Sequence, residues 1–318
     1  MMKHVSRLAT AFFAVALCIC MTAASAFAAS QTTASGVNWE DSKITVQGMG
    51  VAPTRARTPA QAKMMARRAA QVDAYRQLAE LAKGVQVDGE TTVEDMEVTS
   101  DIVKTKVSAF VHGARIVSEE ATSDGGYYVT MEVPLYGVTD SLASAVLEKP
   151  AMQESFPQPV ADVQPSTPSV DVHVHVDTGA TGTTTTPSTS TAGTRPTHGS
   201  SAASAPSGQA IGGYTGLIVD CRGLGLKPAM SPVIKNANGQ AIYGYKNLDY
   251  DKVVSGGMAG YTTDMSRATR AGSNPLVVKA VSLDNGANPV LSVADANRVL
   301  IENSATGFLD ATNVVFIR

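Results

Sequence analysis

The chain has 318 residues, a formal net charge of −3 and an aromatic content of 5%. Nucleic-acid-binding proteins normally carry a strongly basic face, so this composition argues against that class and predicts no nucleic-acid partner. It also offers no polybasic patch for a membrane surface.

The first element is an export signal. A short basic start precedes an uncharged apolar run over 8–21, and Ala26-Phe27-Ala28 follows it. This pattern predicts a signal peptide over 1–28 with cleavage between Ala28 and Ala29. The run is too short for a membrane span, which takes about 20 residues. The sequence therefore predicts an exported protein of the periplasm or the cell surface.

Cys18 and Cys20 leave lipoprotein processing open as an alternative. Bulky Leu17 and Ile19 stand before them, where lipid-modifying peptidases want a small residue. We favour the interpretation that both cysteines are ordinary apolar residues of the hydrophobic run. We expect membrane association only if one of them is lipidated. Cys221 then remains, and we expect it to be buried as a small hydrophobic side chain.

Residues 37–149 are predicted to form the first domain. Thr58 and Pro59 begin a helix that ends at Gly84, and eight alanines let it lie close to a sheet. The order is β-α-β-α-β-β, and its elements are a strand over 44–51, a helix over 59–83, an extended stretch over 85–98, a helix over 100–113, and a hairpin of 114–122 with 127–136. In the last strand, alternate apolar residues share one face: Tyr127, Val129, Met131, Val133 and Leu135.

Residues 150–212 are dominated by Pro, Ser, Thr, Ala and Gly. Such a stretch buries too little apolar surface to offset its ordering entropy, which predicts a disordered linker. Within it, His173, His175 and Asp177 would point the same way in an extended chain and form a weak candidate zinc or copper site. We favour an ordinary linker segment, because ordering a flexible tether removes most of the metal-binding energy.

Residues 213–318 are predicted to form a second mixed α/β domain. Its elements are a strand over 214–221, a hairpin over 233–243 turning at Asn238-Gly239, a helix over 249–254, a strand over 275–283, a helix over 292–302 and a strand over 313–317. The predicted fold class is α+β. We expect each domain to pack helices on a small, mainly antiparallel sheet.

Histidine usage argues against an enzyme. Outside the signal peptide and the linker, His112 is the one histidine available as a rigidly held base. Glu119 and Glu120 point to opposite faces of a strand, so we interpret them as solvated hairpin charges. Neither a dinucleotide fingerprint nor a phosphate-binding loop is present. We predict no catalytic residue and no cofactor.

Two charge runs are candidate interaction surfaces. Arg67 and Arg68 lie in a basic stretch over 55–68, and Asp95 and Glu97 lie in an acidic one over 88–101. Two interpretations stay open: solvated faces that compensate each other within one domain, and complementary surfaces that meet between subunits in head-to-tail assembly.

The stretch over 44–137 resembles a known family. The resemblance rests on Gly48-Met49-Gly50, on Ala66-Arg67-Arg68-Ala69-Ala70, and on Val107-Ser108-Ala109-Phe110-Val111-His112-Gly113-Ala114. These motifs resemble the LPP-twenty lipoprotein family, which includes the flagellar outer-membrane protein FlgP and is similar to the N-terminal domain of the flagellar protein FlgT. Residues 214–228 look like the second domain of its longer members.

The resemblance implies a protein of the periplasm or outer membrane with no catalytic residues. Some members support ring assembly around the flagellar motor. Our leading hypothesis is a non-catalytic envelope scaffold, flagellar in its most specific form, whose partners are envelope or flagellar proteins or further copies of itself. The alternative is a periplasmic binding module for glycan, peptidoglycan or a metal.

Overall fold

The computed structural model describes residues 35–160 and 208–318. They form two compact units whose limits interleave along the chain. The first contains described residues up to Gly84, with Met96–Leu135 and Thr139–Ala145. The second contains Val85–Asp95, Tyr136–Val138 and the described residues from Val146 to Arg318. The α+β class with two folded units is confirmed.

The first unit is one four-stranded antiparallel sheet with helices against it. The strand order is β1-β2-β4-β3. The elements over this part of the chain are β1 (Gly36–Asn38), β2 (Lys43–Val51), α1 (Pro59–Lys83), α2 (Val93–Thr99), α3 (Asp101–His112), β3 (Arg115–Ala121), β4 (Gly126–Pro134) and α4 (Leu142–Val146). Helix α2 crosses the limit between the units after Asp95, and α4 crosses it after Ala145.

Two glycines in β2 let α1 lie unusually close to the sheet. A Cβ on Gly48 would fall 2.2 Å from the Ala70 carbonyl oxygen, and a Cβ on Gly50 would fall 2.2 Å from that of Ala66. The helix presents small residues here, because Ala66, Ala70 and Ala74 are fully or almost fully buried. The predicted close approach of an alanine-rich helix is confirmed.

The second unit contains two further four-stranded sheets. One has the order β8-β12-β5-β9 and the other β10-β11-β6-β7. Its elements are β5 (Gly216–Asp220), β6 (Ile234–Asn236), β7 (Ala241–Tyr243), α5 (Tyr250–Gly256), β8 (Gly260–Thr262), β9 (Pro275–Lys279), β10 (Ser282–Asp284), β11 (Asn288–Leu291), α6 (Val293–Thr306) and β12 (Val314–Ile317).

The structure corrects the expectation of a mainly antiparallel sheet for this unit. All neighbouring strands of the β8-β12-β5-β9 sheet run parallel. Long crossover segments separate these strands in sequence, as parallel pairing requires. Their apolar runs, Leu217-Ile218-Val219 and Val314-Val315-Phe316-Ile317, are buried throughout, which is typical of parallel strands covered on both faces.

Two predicted elements are wrong in detail. The stretch over 85–98 is not extended throughout, because helix α2 occupies Val93–Thr99. The predicted strand over 275–283 is two strands in different sheets, since Ala280 N donates to Asp220 O whereas Val281 N donates to Val290 O. The chain thus changes sheet between adjacent residues.

Parts of the predicted linker lie against the second unit. Glu154 N donates to Lys246 O over 2.8 Å, and the ring of Phe156 stacks on Tyr243 with centroids 6.4 Å apart.

The expected signal peptide and the candidate metal residues His173, His175 and Asp177 fall outside the described residues. No helix in the described part of the chain is long and apolar enough to cross a membrane.

Candidate interaction surface

The four predicted interaction residues have different surroundings. The guanidinium of Arg67 binds Glu119 of strand β3, with Arg67 Nε 2.9 Å from Glu119 Oε1 and 3.1 Å from Oε2. This hydrogen bond and the adjacent negative charge raise the pKa of Arg67. Glu119 is therefore an ion-pair partner rather than a freely solvated charge. Arg67 is engaged within its own unit, but its partner Glu119 lies outside the acidic stretch over 88–101.

The two acidic candidates are also engaged locally. Asp95 accepts from Thr92 N over 2.9 Å and caps the start of α2, and hydrogen bonds from the Thr92 side chain and backbone lower its pKa. Glu97 lies 3.6 Å from Lys83 Nζ and is only 11% exposed. Arg68 is the exception, because it is exposed and its side chain has no ion pair or hydrogen bond within the described residues.

Arg68 lines a groove of about 550 Å³ between the end of β2 and the outer face of α1. Its lining combines the apolar Val51, Pro53, Met65, Ala69 and Val72 with the charged Arg55, Arg68, Asp73 and Arg76. We call this surface the basic groove. Sequence reasoning found the positive charge but missed the exposed apolar residues, because it could not tell which face of α1 the sheet covers.

The one carboxylate that lines the basic groove, that of Asp73, is already paired with an arginine. Burial pushes the pKa of Asp73 upward, but hydrogen bonds from Met49 N, Arg76 and Gln77 outweigh it and leave the pKa lowered. Arg76 binds Asp73 over 2.9 Å and Glu80 over 2.7 Å. Within residues 35–160 and 208–318, Arg55 and Arg68 are therefore the two groove arginines without a carboxylate partner, and they lie next to exposed apolar side chains.

A second exposed surface of the first unit has the opposite character. Val98 is 83% exposed, the highest value for a large hydrophobic side chain in the described residues, and Ile102 is 69% exposed. Asp101 lies between them at the first position of α3 and is exposed. We call Val98, Asp101 and Ile102 the acidic knob. Exposed apolar patches that are rimmed by polar residues often mark interaction sites.

Three further side chains that could take part in chemistry, those of His112, Cys221 and Arg270, are instead hydrogen-bonded or buried within the protein. His112 Nδ1 donates to Ser108 O of its own helix over 2.7 Å. Cys221 is fully buried, as expected, and burial raises the pKa of its thiol to about 12. Arg270 donates to the carbonyl oxygens of Gly256, Gly257 and Thr312. No group of three or more metal-ligating side chains occurs in residues 35–160 and 208–318.

Comparison with known proteins gives two matches. Residues 45–134 match the LPP20 lipoprotein family, and residues 216–318 match the second domain of Treponema pallidum Tp0624. No curated protein matches the chain. The expected similarity to FlgT stays a prediction.

The LPP20 lipoprotein family is not a known enzyme family, and the match over residues 45–134 supports an envelope-associated protein. The basic groove and the acidic knob both lie within the matched segment. The match over residues 45–134 supports membership of the LPP20 lipoprotein family, and residues 216–318 of the same chain are similar to the second domain of Tp0624.

Proposed function

We propose that the protein is a non-catalytic envelope scaffold that assembles head to tail through its LPP20 domain. The observation that carries the proposal is the basic groove, in which Arg55 and Arg68 have no carboxylate partner among the described residues and lie beside exposed apolar side chains. Such a groove fits a partner that supplies apolar side chains and a carboxylate together.

The occupant we propose is the acidic knob of a second copy. The knob offers two highly exposed apolar side chains, Val98 and Ile102, next to the carboxylate of Asp101. The groove and the knob are different surfaces of one chain, so their contact is heterologous and repeats from copy to copy. The products of such a contact are rings or filaments, which suits a scaffold.

The test measures self-association of the chain from residue 29 by sedimentation velocity. We expect the wild type to associate with increasing concentration and Arg55→Glu/Arg68→Glu to raise the dissociation constant at least about tenfold, since like charges would then face each other. Added salt should also weaken the wild type, because exposed charges are screened beyond about 8 Å at physiological ionic strength.

Arg57→Glu is the matched control, because Arg57 is an exposed arginine of the same stretch that does not line the groove. Arg67 is left unchanged, since its reversal would break the ion pair with Glu119. A wild type that is monomeric at every concentration overturns the proposal, and so does an Arg57→Glu variant that dissociates as strongly as the double variant. A monomer that binds purified peptidoglycan instead would favour the binding-module alternative.

The flagellar form of the proposal rests on the resemblance to FlgP. Flagellar genes next to the gene for this chain would support it. A genome without flagellar genes would remove that form and leave a scaffold for another envelope structure.

A further inference from the structure

Helix α6 binds two stretches of the chain, one before and one after residues 161–207, which we call the Ser/Thr-rich segment. Val160 is the last described residue before that segment, and Ile211 and Gly212 follow it. Each of these two stretches is bound by a different side chain of α6. Both binding side chains and both stretches belong to the second unit.

Asn297 binds the stretch before the segment. Its Nδ2 donates to Val160 O over 2.7 Å, and its Oδ1 accepts from Val160 N over 2.9 Å. The side-chain amide thus pairs with both polar groups of one backbone residue, as a neighbouring strand would. Phe156 and Glu154, a few residues earlier, are already placed against Tyr243 and Lys246.

Glu302 binds the stretch after the segment. It is 1% exposed, and its two carboxylate oxygens accept from Ile211 N over 2.9 Å and from Gly212 N over 2.8 Å. A buried carboxylate is costly unless hydrogen bonds satisfy it, so these two amides are needed where they are. Gly212 has φ +79°, a conformation that side chains rarely adopt, and this lets consecutive amides point to one carboxylate.

The two binding side chains are close together on the helix. Asn297 and Glu302 are separated by about 1.4 turns, roughly 7.5 Å along the axis, and so point to different sides of the helix. We infer that the Ser/Thr-rich segment leaves and returns to one helix of the second unit, and that it is not a spacer between two independently folded domains. The surface of α6 is then a docking site for two segments of this same chain.

The first experiment measures amide hydrogen exchange in the chain from residue 29. We expect the amides of Val160, Ile211 and Gly212 to be protected. Asn297→Asp should speed exchange at Val160 at least tenfold, because a carboxylate oxygen would then face the Val160 carbonyl. Glu302→Gln should speed exchange at least tenfold at Ile211 or Gly212, because the side-chain NH₂ donor would then face a backbone N–H donor. Each variant should leave the other end protected.

Ser304→Ala is the matched control, since this exposed hydroxyl of α6 donates within its own helix, to Ile301 O. Free-peptide exchange rates at all three amides in the wild type would contradict the inference. So would variants that change exchange no more than Ser304→Ala does.

The second experiment needs no substitution in α6. A recognition sequence for a site-specific protease replaces residues 181–186, and the cut protein is analysed by gel filtration. We expect the two pieces to elute together at the volume of the uncut chain and to separate only in denaturant. Pieces that separate in native buffer would show a spacer between separable domains and overturn the inference.

Discussion

At the scale of single residues, the most restrictive contact is the one between β2 and α1. A Cβ on Gly48 would lie 2.2 Å from Ala70 O and 2.4 Å from Ala74 N, both backbone atoms that cannot move aside alone. We expect Gly48→Ala to lower the free energy of unfolding by about 3 kcal/mol or more, since overpacking forces backbone shifts. Urea denaturation measures this.

Gly36→Ala is the matched control for Gly48, because a Cβ at Gly36 meets nothing within 4 Å. Its effect should stay within about 0.5 kcal/mol. Equal stability losses for the two variants would mean that α1 does not lie on β2 as closely as described.

Cys221 gives a second prediction at this scale. It is fully buried, and burial raises the pKa of its thiol from 9.0 to about 12. The folded state therefore holds the proton more tightly than the unfolded chain does. The resulting stability is fully present below pH 9.0 and is lost as the pH rises toward about 12.

Alkylation with iodoacetamide at pH 8 checks the state of Cys221. We expect no labelling of the folded chain from residue 29 and complete labelling in denaturant, with Cys221→Ser as the unlabelled control. Rapid labelling of the folded chain would show that the thiol is accessible.

At the scale of elements, capping residues made the helices predictable. Thr58, Ser100, Asp249 and Ser292 all accept backbone N–H groups at helix starts, where the sequence placed them. The same signal was present but missed at Thr92-Val93-Glu94-Asp95, where Asp95 N donates to Thr92 Oγ1 and Asp95 Oδ2 accepts from Thr92 N. This reciprocal pair starts α2.

Thr92→Ala should therefore destabilise the chain by about 1 kcal/mol, the usual loss when a helix cap is removed. Chemical denaturation followed by circular dichroism measures it. Thr105→Ala is the control, because Thr105 lies inside α3 and its hydroxyl donates to Asp101 O of that helix. A Thr92 variant as stable as the control would argue against the cap.

Strand partners could not be predicted from local sequence. The apolar run over 217–219 identifies a buried strand, but its pairing with β9 and β12 depends on residues far away in the chain. The partners of the charged surface residues could not be predicted from local sequence either. Arg67 and Arg68 are neighbours in sequence, yet only Arg67 meets Glu119, because the helix turns their side chains in different directions.

At the scale of the whole molecule, the second unit is not one continuous stretch of sequence. Met230 N and Ser231 N donate to Gln86 O and Val87 O, and the ring of Tyr136 lies so close to Gly257 that a Cβ there would be 2.7 Å away. Residues before 139 therefore form part of the second unit. Sequence composition placed the boundary at the linker because it cannot show such contacts.

A fragment of residues 213–318 should therefore be much less stable than the same residues in the longer chain, because it lacks Val85–Asp95, Tyr136–Val138 and the stretch from Val146. Thermal unfolding of the fragment and of the chain from residue 29 tests this. The chain cut within 181–186 is the control, since it keeps every segment. A fragment as stable as the cut chain would show an autonomous second domain.

The central claim is head-to-tail assembly through the basic groove and the acidic knob, and mixing two defective variants tests it most directly. Arg55→Glu/Arg68→Glu disables the groove, and Val98→Asp/Ile102→Asp disables the knob. Each variant alone should sediment as a monomer. An equimolar mixture should form a one-to-one dimer and nothing larger, because one intact groove can meet one intact knob. A mixture that stays monomeric while the wild type assembles, or either variant assembling alone, would contradict the account.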